Sequence, residues 1–307
     1  MNSVTFSQIV DGYLLAANAR RLSPHTIRDY VTTFNKFIRF LEDDQPIDSI
    51  TAQQVEMFLA LQKVSKKTAL NYHIGLSALW TWAVEEDLAK EHIIRKVKRI
   101  KPEKKAIKPY SEDDIRNMVN VINQTQIYSR PGKRDSFHRL AHADRNRAII
   151  YILLDTGVRV SELINLHIHE VDLRNRRILV MGKGSKERTI PFSPRTGQVI
   201  WKYLTTRKEE SWGNLLFVTN EGRQLTRSRV LRILRTIGRR AGVMKVTVHR
   251  FRHTFAVNYL RNGGDAYSLQ MMLGHSTMEM VKTYLALAQA DLDANHIQAS
   301  PVSNWRL

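Results

Sequence analysis

Apolar residues recur at helical spacing through the first part of the chain. Phe6, Ile9, Val10, Tyr13 and Leu14 fall at i, i+3, i+4, i+7 and i+8, which predicts an amphipathic helix over residues 4–19. Ser23-Pro24 is a helix start: the serine can cap, and the proline sits in the first turn, where its missing N–H costs nothing. Tyr30, Phe34, Phe37, Ile38 and Leu41 carry that second stripe onward. Thr51 caps a third helix through Val55, Phe58 and Leu59, and Ser65 opens a fourth along Leu70, Tyr72, Ile74, Leu76, Leu79, Trp80 and Val84. Strand-like alternation is missing here, so residues 1–90 read as a helical bundle, within a domain bounded at 1–98. Its aromatic residues are expected in the core rather than as stacking platforms.

The pattern then breaks. RKVKRIKPEKKAIKP, residues 95–109, holds eight Lys/Arg, two prolines and one acid. Proline prevents a continuous helix and like charges favour extension, so residues 99–110 read as a basic interdomain linker. Ser111-Glu112-Asp113-Asp114 opens a second domain, 111–307, with a cap and acids in the first turn. Residues 124–140 look like a polar, basic loop. Ala143–Leu154 is a strongly apolar helix, after which Gly157 supplies a turn and Ser161 or Thr156 is the expected cap of the next helix. RRILVM and RTIPF flank a Gly-rich turn over 176–192, a hairpin with Lys183 and Lys186 at its tip. Leu215–Val218 reads as another short strand. Thr226–Ala241 is a very basic helix with Val230, Leu231, Leu234 and Ile237 facing inward, and Leu285–Gln298 is helix-like. The fold class is therefore mainly α with a small antiparallel β-sheet: an all-helical domain followed by a mixed α/β domain.

Charge adds a partner. The chain carries 48 Lys plus Arg against 29 Asp plus Glu, a net of +19. Residues 1–100 hold 13 basic and 11 acidic side chains, leaving 35 and 18 for residues 101–307, a net of +17 there. Positive charge concentrated in one part of a chain points to a polyanion, here DNA or RNA. An anionic membrane surface fits less well, because no single basic amphipathic helix carries the excess. Without cysteine there are no disulfides or thiolate metal sites. No secretory signal or membrane-length apolar run is visible, so a cytoplasmic, nucleoid-associated protein is expected.

Several short motifs carry chemistry: Thr156-Gly157-Val158-Arg159-Val160-Ser161-Glu162-Leu163, the turn Gly182-Lys183-Gly184-Ser185-Lys186-Glu187-Arg188, His249-x-x-Arg252, Leu273-Gly274-His275, and Tyr284 nine residues later. Each alone is weak. In this order and spacing they resemble the motifs of the tyrosine recombinase (phage integrase) family, nearest its Xer-type members, over nearly the whole chain. The resemblance implies a core-binding domain at the N-terminus, a catalytic domain after it, and a C-shaped clamp around double-stranded DNA.

The residues fit that chemistry. A phenol with a pKa near 10 is a poor nucleophile, and a phosphodiester is an anion that repels attack. Arginines supply planar, permanently charged donors to the oxygens on which charge builds. The resemblance assigns that work to Arg159 and Arg252 with His275 as a further donor, acid/base work to His249, protonation of the leaving 5′ oxygen to Lys183, and attack to Tyr284. Lys186 is the nearest decoy for Lys183. A zinc face from His249 and His253 is disfavoured, because Arg250 and Arg252 would repel the cation, and His253 reads as structural. Tyr259 and Tyr267 are the better candidates for buried core tyrosines. The turn at 182–188 is not a Walker A loop, and neither cofactor nor metal is implied.

The implied reaction forms a 3′-phosphotyrosine, conserves bond energy without ATP, and exchanges strands through a Holliday junction. The resemblance further implies inverted-repeat core sites, a homo-tetramer or a pairing with a partner recombinase, and an exchange helix at about 285–298 docked on a neighbouring protomer. The chain opens directly on core-binding helices, which favours a simple recombinase over a large regulated integrase. The long 124–140 loop leaves chromosomal Xer and mobile-element roles equally open. Two alternative functions use the same features: DNA relaxation as by a type IB topoisomerase, and DNA binding without strand exchange.

Overall fold

Short hydroxyl side chains make the first four α-helix starts. In the computed structural model, which describes residues 4–103, 107–123, 142–182, 187–207, 214–219, 221–275, 277–289, 296 and 300–305, two compact units form, Met1–Lys105 and Ala106–Leu307. The first holds α1 (Phe6–Ala19), α2 (Pro24–Leu41), α3 (Ala52–Leu61) and α4 (Lys66–Glu85). Thr5, Ser23, Thr51 and Ser65 cap them in turn, each accepting a backbone N–H of the first turn. Apolar stripes meet in one core in which Phe6, Phe34, Phe37, Phe58 and Trp80 are almost wholly buried. Phe37 and Phe58 pack edge to face at 5.1 Å. Burying each such ring stabilises by about 1.5–3 kcal/mol.

The second unit holds α5 (Glu112–Asn120), α6 (Ala143–Thr156), α7 (Val160–Asn165), strands β1 (Val171–Asp172), β2 (Arg177–Met181) and β3 (Glu187–Pro191), then α8 (Pro194–Thr206), α9 (Arg227–Arg240), α10 (Val248–Arg261), α11 (Ala266–Leu273) and α12 (Glu279–Gln289). The architecture is mainly helical with one antiparallel sheet, ordered β1-β2-β3. The expected hairpin is β2–β3, in which Ile178 pairs with Ile190 and both side chains are buried. Its tip, including Lys183 and Lys186, lies outside the described residues, as does the 124–140 loop.

Three local expectations are corrected. Leu215–Val218 is not a strand: His167–Leu215 and Val218–Gln224 are isolated bridges, and the N–H of Leu216 goes to Leu166 O at 2.7 Å. Neither Ser161 nor Thr156 caps α7. The helix begins at Val160, which puts Ser161 inside its first turn, while the Thr156 hydroxyl donates back to Ile152 O. Arg159 is the cap residue, its N–H held by the Glu162 carboxylate at 2.8 Å. Finally, the helix expected to begin after Tyr284 starts at Glu279, so Tyr284 lies within it.

The end of the stretch read as linker is tied into the second unit. Arg250 donates to Lys108 O and Pro109 O, and its guanidinium lies 4.0 Å from the Tyr110 ring centre. Gly157 fixes the turn between α6 and α7 at φ +60, where a Cβ would collide with Phe255 Cδ1 and stand 2.9 Å from Leu273 Cδ2. Gly157→Ala is expected to destabilise the second unit by about 2 kcal/mol, from left-handed backbone strain and overpacking, measured by denaturant unfolding.

Candidate active site

Two glycine turns, a helix cap and a strand converge on one cluster. The Gly157 turn delivers Arg159 to the start of α7. The strand β3 delivers Arg188. The Thr247 cap starts α10, which carries His249, Arg252 and His253. The left-handed Gly274 ends α11 and sends His275 back toward α10, against which α12 brings Tyr284.

Arg252 is 3% exposed and fully engaged. Its Nη1 donates to Gly157 O at 2.8 Å, and Nη2 to Leu273 O at 2.6 Å and His275 Nε2 at 2.7 Å. Burial, then the Arg159 charge, lower its pKa to about 10. Because Nε2 of His275 accepts that bond, its proton sits on Nδ1, which is buried and has no partner among the described residues.

Arg159 is positioned from below. Its Nη1 donates to Glu162 Oε1 at 2.9 Å and its Nη2 to Gly274 O at 3.0 Å. Arg188 grips the same carboxylate with two bonds, at 3.0 and 2.8 Å, and Met272 O with its Nε at 2.8 Å. Burial alone would raise the Glu162 pKa. Hydrogen bonds from Arg188 and Arg159 outweigh burial and hold it below the ordinary carboxylate range.

Tyr284 is 3% exposed. Its ring lies nearly parallel to that of His275, with centroids 6.2 Å apart. Its hydroxyl is 2.9 Å from Nδ1 of His253. Burial raises the phenol pKa and the Arg252 charge partly opposes it. His253 and His275 are both depressed to about 4, each first by burial, then by His249 and Arg252 for the former and by Arg252 and Arg159 for the latter. His249 packs against His253 with ring centroids 4.2 Å apart and is exposed.

The structure thus brings Arg159, His249, Arg252, His275 and Tyr284 together, and Lys183 lies outside the described residues. His253, read as structural, stands 2.9 Å from the Tyr284 hydroxyl, one turn after His249. One expectation is corrected. Tyr267, expected in the core, is 71% exposed at the start of α11, and the tyrosine enclosed by the α10–α12 contact is Tyr284. Glu162 and Arg188 stand inside the motifs, but neither carried a role that sequence alone could assign.

Residues 133–291 match the model of the phage integrase family, and residues 9–90 that of a phage integrase N-terminal SAM-like domain. A tyrosine recombinase XerD of Oceanobacillus iheyensis is 27% identical over 285 residues, covering 89% of this chain and 91% of its own. A tyrosine recombinase XerC of Mycobacterium sp. (strain JLS) is 29% identical over 303 residues, covering 95% and 97%. In fold, the chain resembles the XerH site-specific recombinase bound to a palindromic difH substrate, with TM-score 0.71, 22% identity and coverage of 95% and 84%. It also resembles a lambda integrase dimer bound to a COC′ core site, with TM-score 0.72, 18% identity and coverage of 92% and 77%.

These matches, over a helical unit and a cluster of arginines, imidazoles and a phenol, define a site-specific DNA recombinase. The chain belongs to the phage integrase family, as a tyrosine recombinase of Xer type that cuts and rejoins DNA.

Proposed function

We propose that Tyr284 is the nucleophile, attacking the scissile phosphate to leave a 3′-phosphotyrosine and a free 5′-hydroxyl. The observation that carries this is the convergence of Arg252, His275 and the Tyr284 ring. Arg159 and Arg252 donate to the non-bridging oxygens, and the uncommitted Nδ1–H of His275 is a third donor. Fixed donors of this kind each contribute about 10²–10³ in rate. His249 is the acid/base group beside them, and Lys183 protonates the leaving oxygen; the latter role rests on the motif alone. The first unit is the core-binding domain. Exposed Arg227, Arg229, Arg232, Arg235 and Arg239 along α9 supply positive charge to a DNA backbone.

The substrate is double-stranded DNA with inverted-repeat core sites, cut in two sequential strand pairs through a Holliday junction by a homo-tetramer or with a partner recombinase. Residues 285–298, most of them outside the described residues, join neighbouring protomers. Sequencing the DNA trapped covalently on purified protein is expected to return one inverted-repeat site. Relaxation of supercoiled plasmids regardless of sequence would instead identify a topoisomerase.

A further inference from the structure

We propose that the cavity at the start of α6 is an oxyanion site for a phosphate group, separate from the active site and independent of which residue attacks DNA.

The cavity is small, about 50 Å³. Its wall includes His142, Asp144 and Arg145 at the start of α6, Tyr203 and Arg207 at the end of α8, and Thr219. That volume holds a few water molecules, which suits one tetrahedral oxyanion and excludes a nucleoside. Gly157 and the active site lie at the other end of α6, about 20 Å away along a helix of 14 residues.

Three features of the wall call for an anion. First, Arg145 is 7% exposed yet forms no ion pair among the described residues. Its Nη1 donates to Val218 O at 2.8 Å, while Nε and Nη2 reach Asn146 Oδ1 at 3.4 Å, so the charge is oriented and not neutralised. A buried cation without a counter-charge is costly. Arg207, also buried, donates to Leu215 O and Leu216 O and lines the same cavity. Second, the Tyr203 hydroxyl is buried and has no hydrogen-bond partner among the described residues, in a side chain that is 4% exposed. Burial raises its pKa. Arg207, Arg145 and the Val218 N–H pull the other way without closing a hydrogen bond to Oη. An oxyanion in the cavity gives that proton an acceptor. Third, α6 begins at His142 without a side-chain cap, which leaves the positive end of its dipole to a ligand.

The acids nearby do not cancel this charge. Asp144 stands 3.7 Å from Lys202, and Glu221 is near both Arg145 and Arg229. Among the described residues, Arg145, Arg207, Arg229 and Lys202 outnumber Asp144 and Glu221 around the cavity. Guanidinium groups, a hydroxyl and a helix end approach from different elements, which fits an anion with several acceptor oxygens better than a monatomic one. Either inorganic phosphate or a phosphate of the DNA backbone has this chemistry.

Thermal unfolding of the full chain in sodium phosphate, against sodium chloride of equal ionic strength, tests the site. Arg159→Ala, run in parallel, reports any phosphate held by the active site. Phosphate at tenfold its Kd is expected to raise Tm by about 3–6 °C over chloride, in wild type and in Arg159→Ala alike. Tyr203→Phe keeps the ring and removes one donor. It is expected to unfold in chloride no lower than wild type, because no bond is lost, and to need about tenfold more phosphate for the same rise. Arg145→Gln is expected to lose the rise; it also loses the bond to Val218 O, so Tyr203→Phe decides. Duplex DNA separates the two sources. If a backbone phosphate fills the cavity, Tyr203→Phe binds duplex about tenfold more weakly and free phosphate no longer raises the Tm of the complex. If the free ion fills it, duplex affinity is unchanged and the rise persists in the complex. The proposal is overturned if phosphate and chloride give wild type the same Tm, or if Tyr203→Phe responds to phosphate as wild type does. It is equally overturned if the rise vanishes in Arg159→Ala, which would put the ion in the active site.

Discussion

Tyr284→Phe binds its DNA site and forms no covalent adduct. The substitution removes one oxygen from a ring that is 3% exposed, so packing against α10 and the near-parallel stacking on His275 survive. What it loses inside the protein is the bond to His253 Nδ1, at a cost of about 1 kcal/mol. The arginines that meet DNA phosphate are untouched, so affinity in a mobility shift stays at the wild-type value. Cleavage has no substitute nucleophile, and its rate falls at least about 10³-fold, as removal of a covalent nucleophile does elsewhere. A denaturing gel of trapped suicide substrate reads this directly. An adduct band of wild-type intensity would transfer the nucleophile to another residue.

The helical unit was legible because two signals agree there. Ser23, Thr51 and Ser65 cap where the sequence puts caps, and the stripes that follow each end in the same aromatic core. The second unit was less legible where long-range bonds decide the structure. Leu215–Val218 has strand composition, yet its backbone is spent on single bridges to distant partners such as Leu166. The strand β1 is two residues long and leaves no period to read.

At the site, Arg159, Arg252, His275 and Tyr284 were legible from order and spacing. The groups that orient them were not. Glu162 and Arg188 stand inside the motifs with no role to read, until the fold joins Arg159 and Arg188 through the one Glu162 carboxylate. His253 was set aside on a sound argument about metals that did not bear on hydrogen bonding to a phenol. Burial was misread for Tyr267, because a lone tyrosine in a helix carries no sign of which face it occupies.

Glu162→Ala is expected to destabilise the second unit and slow cleavage together. The carboxylate is 4% exposed and holds Arg188, itself 13% exposed, with two bonds, and Arg159 with two more. Removing one member of a buried ion pair strands the others and costs about 3–5 kcal/mol. Arg159 is 39% exposed and regains water, which favours the lower end, about 3 kcal/mol, or roughly 6–12 °C in Tm for a unit of this size. The sign with pH follows from the depressed carboxyl. Its stabilisation is fully present above the unfolded value of 4.5 and is lost as pH falls through the lower folded value. The difference in unfolding midpoint between wild type and Glu162→Gln therefore narrows on acidification. Cleavage slows because Arg159 keeps only its bond to Gly274 O and no longer points at a fixed place, whereas Glu162→Gln, with one acceptor left, falls between. Equal unfolding midpoints and equal adduct rates for Glu162→Ala and wild type would show that Arg159 is positioned without this carboxylate.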